Sequence, residues 1–180
     1  MAVTQITASM LAPLRGAKRW AYLERARTIR FASANEDGSI YLSPLWLIVH
    51  EQRIYIPVDA ASRHGANFEA GRPLSALVDT GDEFPTVAGV RILGKMVVVE
   101  DQELFDRLQG MVDDKYFGPG HPFAEAYFDF GSFAGRRFFE LVPDKLIGWD
   151  QRETTTPTSY EARALPDTVG DRRIADAPSS

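Results

Sequence analysis

Between residues 30 and 73 the chain alternates three strand-like runs with two tight turns and then opens a short helix, an order that few folds accommodate. The first run, 29–34, ends at Asn35, Glu36, Asp37 and Gly38, where the Asp-Gly pair supplies the positive-φ chemistry of a hairpin turn. The return run, 40–50, is long and apolar through Leu42, Leu45, Trp46, Leu47, Ile48 and Val49, with Pro44 interrupting it. Proline cannot donate to a ladder, so Pro44 marks an edge or a bulge and leaves neighbouring backbone groups for a ligand. Glu51 and Gln52 turn the chain into a third strand at 53–58, and Asp59, Ala60 and Ala61 deliver it to a polar cluster, Ser62, Arg63, His64, Gly65, Ala66 and Asn67.

Ser62 is a good N-cap, because its hydroxyl accepts from N–H groups that the first helical turn leaves unpaired. The helix then runs to about Ala70. Its positive end, with Arg63 and His64 beside it, makes a candidate phosphate site. The competing reading is that Ser62 only caps, Arg63 is a solvated charge and His64 an ordinary loop histidine. The local sequence leaves both open.

A chain of 180 residues with 44% apolar and 25% charged residues can build one domain with a real core. The expected organisation is a single domain over 1–150 with an N-terminal helix, followed by a polar, extended or disordered tail at 151–180. A net charge of −5 and a pI near 5.2 argue against a broad nucleic-acid surface, although a local basic pocket would not show in the total. Cysteine is absent, which excludes disulfides, thiol catalysis and cysteine-based metal sites. Arg15, Lys18 and Arg19 interrupt any leader-like apolar stretch, no run reaches the roughly 18 apolar residues of a membrane span, and a cytoplasmic address is expected.

Elsewhere, periodicity predicts a helix over 9–27, a buried strand at 74–78, and a polar rim or lid starting at Asp79, Thr80, Gly81 and Asp82. A longer strand is expected at 87–100, where Gly94 marks a bulge or barrel corner. Leu104, Phe105, Leu108, Met111 and Val112 repeat at three and four, an amphipathic helix capped by Asp101. A turn-rich aromatic stretch follows, with a short helix near 123–130, and two strands at 136–142 and 145–149 close the fold. Short strands punctuated by turns, with few helices, point to a mainly β fold: an antiparallel, Greek-key-like barrel with flanking helices.

The motifs of serine hydrolases, P-loops, zinc helices and calcium loops are missing, and His50, His64 and His121 are scattered, so no metal site is expected. What the sequence resembles is the pyridoxamine 5′-phosphate oxidase-like split β-barrel superfamily of flavin and deazaflavin proteins. The hairpin at 30–40, Ser43 to Trp46, the 62–73 segment, Gly89 to Gly94 and the closing Leu146, Ile147, Gly148 and Trp149 carry the resemblance. The aspartate-rich loop after Val78, followed by Gly89, Val90 and Arg91, is most similar to the branch that binds the deazaflavin coenzyme F420 (FDOR-B type).

That resemblance implies a cofactor-dependent oxidoreductase in which coenzyme F420 delivers a hydride to a small organic acceptor, with FMN as the alternative cofactor. It implies a homodimer with the cofactor at the subunit interface. By position it assigns the phosphate to Ser62, Arg63, His64 and Asn67, the ring system to Ser43, Pro44, Leu45 and Trp46, the charged tail to Arg91, and barrel closure near the pocket to Trp149. Packing alone would equally account for Trp46 and Trp149, and solvent exposure for Arg91. His64 and Ala66 depart from a family pattern of lysine and arginine, and a histidine near its reference pKa of about 6.5 attracts phosphate less than a lysine. A non-catalytic module that binds a cofactor or haem is therefore a further alternative. No catalytic residue is assigned, and Tyr55, Tyr116, Tyr127 and His121 are conceivable proton donors.

Overall fold

In the computed structural model, which describes residues 12–81 and 86–153, the two predicted turns set up the architecture. Strand β1 (Thr28–Ala34) folds back through the Asp37-Gly38 turn onto β2 (Ile40–Trp46), with Phe31 opposite Ser43. Gly38 takes a φ of 81°, as a turn of this kind requires. Strands β3 (Ile48–His50) and β4 (Arg53–Asp59) form the second hairpin around Glu51 and Gln52, both at positive φ. Then come α2 (Arg63–Glu69), β5 (Leu74–Thr80), β6 (Ala88–Val98), α3 (Gln102–Val112), α4 (Ala124–Phe133) and β7 (Arg136–Asp150), with α1 (Gly16–Arg25) preceding β1.

All strand pairs are antiparallel, in the order β2-β1-β5-β6-β7-β4-β3. Because β2 and β3 are consecutive in the chain and separated only by Leu47, the two ends of this order are two halves of one kinked strand. The sheet thus curls into a barrel, as the sequence predicts. The kink falls at Leu47, not at Pro44. Pro44 lies inside β2, opposite Arg30, on a sheet-edge strand where a missing donor is tolerated. Leu47 leaves the ladder because side chains replace it: its N–H donates to the Tyr116 hydroxyl at 2.9 Å, and its carbonyl accepts from Tyr116 Oη at 2.8 Å and Lys115 Nζ at 3.0 Å.

The two predicted closing strands are one. Gly94 and Pro143 face each other across a register shift that keeps β6 and β7 paired throughout. The polar rim also begins later than expected, since Asp79 and Thr80 belong to β5 and Asp79 pairs with Arg30 at 2.6 Å; residues 82–85 lie outside the described residues. The helix expected over 9–27 is helical at Gly16–Arg25, its earlier part lying mostly outside the described residues, as does the tail from 154 onward. Between α3 and α4 the chain takes a five-residue π-helical turn, Asp113–Phe117, which hydropathy patterning did not show.

Inward-facing residues such as Ile29, Phe31, Ile56, Val90, Ile92 and Phe139 fill the barrel. A second apolar layer lies outside it, where Leu108, Val112 and Tyr116 cover Ile48, Tyr55 and Phe138. Full burial of each such side chain contributes about 1.5–3 kcal/mol, enough for a few residues to dock α3. Asp101 caps α3 as predicted, accepting from the N–H groups of Glu103 and Leu104. No helix among the described residues is long and apolar enough to cross a membrane.

Candidate functional site

The Ser62 cap forms as the sequence predicts, its Oγ accepting from Gly65 N–H at 3.0 Å. Gly65 is required for close approach: a Cβ there would stand 2.7 Å from the Asp59 carbonyl oxygen and 2.8 Å from that of Ala60. The helix therefore presses onto the end of β4, and this contact turns His64 and Asn67 inward.

His64 is 3% exposed. Its Nε2 shares a hydrogen bond with Ser43 Oγ at 2.8 Å, while its ring lies among Phe31, Phe68 and Tyr41, whose centroids are 6.2, 5.4 and 4.7 Å away. Nδ1 is buried with no partner among the described residues. Burial holds the imidazole below its ordinary pKa, so it is neutral at pH 7 and offers a polar contact, not a charge. Asn67, also buried, donates from Nδ2 to Ser33 Oγ at 2.9 Å and to Asn35 Oδ1 at 3.1 Å, tying α2 to the end of β1. Arg63 is the exposed member. Its guanidinium makes no hydrogen bond or ion pair among the described residues, and its field lowers the pKa of Asp37 after the stronger effect of the bonds from Ser39.

One end of the barrel thus gathers Ser43, Ser62, Arg63, His64 and Asn67. Leu45 points into the main core, Pro44 is exposed on the outer surface, and Trp46 belongs to the outer aromatic layer. The Trp46 ring stacks on Tyr116 with centroids 4.1 Å apart and 6° between planes, and Tyr127 and Phe117 flank it. Arg91 is exposed on the outer face, opposite Leu77 and Ile147. Trp149 lies at the other end of the barrel, against Gly89, where a Cβ would meet the indole at 2.5 Å. The conceivable proton donors are engaged. Tyr116 Oη binds Leu47 and the Arg27 carbonyl, the Tyr127 ring carries the Arg136 guanidinium at 3.9 Å, His121 Nδ1 accepts from Phe123 N–H, and Tyr55 is buried beneath α3.

Sequence reading missed the aromatic frame around His64. Strand alternation carried the signal, because Tyr41 and Ser43 share the inner face of β2 and lie opposite Ser33 and Phe31. The buried imidazole also makes stability pH-dependent. Its folded pKa is depressed, so its contribution is present above the unfolded value of about 6.5 and is lost as pH falls below it. Between pH 7.5 and 5 the urea midpoint of His64→Asn should fall less than that of the wild type; parallel profiles would refute a neutral, buried His64.

The cluster offers a permanent cation at Arg63, two serine hydroxyls and a neutral imidazole, a donor set whose chemistry fits an anionic group at the barrel end. A family model described as pyridoxamine 5′-phosphate oxidase matches residues 18–150. Among solved structures, a conserved hypothetical protein from Mycobacterium tuberculosis is similar at 24% identity and a TM-score of 0.74, covering 92% of this chain and 99% of its own. HutZ, the haem storage protein from Vibrio cholerae, is similar at 15% identity and a TM-score of 0.58, with 75% and 94% covered. An FAD binding protein from Mycobacterium smegmatis is similar at 11% identity and a TM-score of 0.54, with 76% and 96% covered. No curated protein matches the sequence.

Proposed function

The chain belongs to the pyridoxamine 5′-phosphate oxidase family, and from that premise we propose that it is a homodimeric oxidoreductase that binds the deazaflavin coenzyme F420. The observation that carries the reading is the grouping of Arg63 with Ser43, Ser62 and His64 at one barrel end, where an anionic cofactor finds a cation and hydroxyl donors. Arg63 holds the phosphate by charge, and Ser43 and Ser62 lend hydroxyls. His64 acts as a neutral polar wall. Asn67 acts indirectly, by fixing α2 against β1. The bound deazaflavin supplies a hydride, and the chain's own part is to orient the ring and exclude water.

The bare outer face supports the dimer. Leu42, Ala32, Ser75 and Leu93 follow one another across β2, β1, β5 and β6 in register, and Ile40, Leu42, Leu93 and Val97 are large exposed apolar residues on that face. A sheet face of this kind is commonly covered by a partner, here a second copy. Arg91 and Pro44 lie on the same face, so a cofactor in the subunit cleft would meet them there.

A second reading draws on His64. A family member that replaces a permanent cation with a buried, neutral imidazole is weakened toward phosphate, which favours a module that stores a planar ligand without turnover. Haem storage by the Vibrio cholerae protein gives this reading its ligand class, and the FAD-binding Mycobacterium smegmatis protein keeps a flavin in view.

Titration of freshly purified full chain with F420, FMN and haem separates the three. F420 should bind, with Arg63→Ala weakening it about 10-fold, as expected for loss of a charge-assisted phosphate contact. A tightly bound yellow FMN would replace the deazaflavin assignment with a flavoprotein. Haem binding without faster oxidation of reduced F420 by enones or quinones would identify the storage module. Unchanged affinity in Arg63→Ala/His64→Ala would remove the phosphate assignment.

A further inference from the structure

Away from the α2 end of the barrel, the π-helical turn Asp113–Phe117 folds Lys115 over the kink at Leu47, beside a cavity of about 290 Å³. Ile48, Val49 and Met111 give this cavity apolar walls, and Glu24, Asp114 and Lys115 complete it. From this arrangement we infer that Lys115 is the reactive amine of a second small-molecule site, which takes an apolar aldehyde as an imine.

Lys115 is half-buried. Its Nζ donates to the Leu47 carbonyl at 3.0 Å and lies 5.6 Å from the centroid of the Tyr116 ring. Burial, and then the neighbouring Arg27 cation, lower its pKa to about 8, while Glu24 opposes the shift. At pH 7 about one molecule in ten carries the free amine, against about one in three thousand for a lysine at 10.5. A lysine activated this way beside a cavity with apolar walls on one side has the chemistry of carbonyl-reactive amines. When Nζ leaves, the Leu47 carbonyl keeps the Tyr116 hydroxyl within 2.8 Å, whose one proton it shares with the Arg27 carbonyl.

The step balances without an oxidant or reductant. The ammonium first loses a proton to solvent, as about one molecule in ten has done at pH 7. The amine lone pair then forms the C–N bond while the C=O π bond opens, and the carbonyl oxygen takes up one of the two protons of the amine nitrogen. Loss of that oxygen as water, together with the remaining N–H proton, leaves the C=N bond. Ile48, Val49 and Met111 hold the carbon chain of the aldehyde.

The test is reductive trapping on the full chain. Hexanal with cyanoborohydride at pH 7, followed by peptide mass mapping, compares Lys115 with the other three lysines, Lys18, Lys95 and Lys145. Modification of Lys115 should be about 10-fold faster than at the others and should saturate with hexanal. Met111→Trp, which fills the cavity but leaves the amine, should remove that advantage, while Lys115→Arg keeps a donor for Leu47 and carries no label at 115. Equal labelling of the four lysines overturns the proposal. Rapid but unsaturable labelling that survives Met111→Trp also overturns it, showing a reactive lysine without a site.

Discussion

Gly94→Ala should destabilise the protein by about 3 kcal/mol or prevent folding, because overpacking against backbone leaves nothing soft to yield. A Cβ at Gly94 would stand 2.2 Å from the Val142 carbonyl oxygen and 3.0 Å from Pro143 Cα, at the register shift between β6 and β7. Moving that carbonyl would shift the pairing of the two longest strands and, through β4, the frame on which α2 rests. Gly110 is the control. It lies exposed within α3, and a methyl group added there would meet nothing within 4 Å, so Gly110→Ala should stabilise by about 0.5–1 kcal/mol through helix propensity alone. Urea unfolding of both variants checks the opposite signs; equal small shifts would mean that the bulge relaxes freely.

Tyr116→Phe should cost about 2 kcal/mol while changing no apolar contact. The hydroxyl accepts from the Leu47 N–H and lies within 2.8 Å of both the Leu47 and Arg27 carbonyls, at a point in the chain where no strand partner exists. Leu47 is fully buried, so without the hydroxyl its N–H loses a partner that water cannot readily replace. Chemical denaturation should show a lower midpoint with an unchanged slope. The stack of Trp46 on the ring persists in the variant, so near-ultraviolet circular dichroism should keep its aromatic signal. A cost below about 0.5 kcal/mol would show that the kink at Leu47 does not depend on this bond.

The hairpins, the Ser62 and Asp101 caps, the Gly94 bulge and the α3 periodicity were legible in the sequence because each is a local arrangement. Asp37-Gly38 turns the chain by its own backbone preferences, and a serine or aspartate caps the turn that follows it. The same local character allowed the barrel and the membership of Ser62, Arg63, His64 and Asn67 in one segment to be anticipated. It did not fix what those side chains do. Whether His64 is a cation depends on Phe31, Phe68 and Tyr41 packing around it, and two of these come from strands remote in sequence.

By itself the sequence determined the order and type of most elements, the antiparallel barrel they build, and the place of a polar cluster after the strand at 53–58, which it counted as the third. The tertiary structure alone decided that Leu47, not Pro44, is where the barrel strand breaks, since its replacement partner, Tyr116, lies 69 residues further along the chain. It likewise placed Trp46 against Tyr116, buried His64 and set Lys115 beside a cavity. The physical reason is common to all four. Burial and hydrogen-bond satisfaction are set by neighbours that meet only when the chain closes, and no local preference encodes which of them will meet.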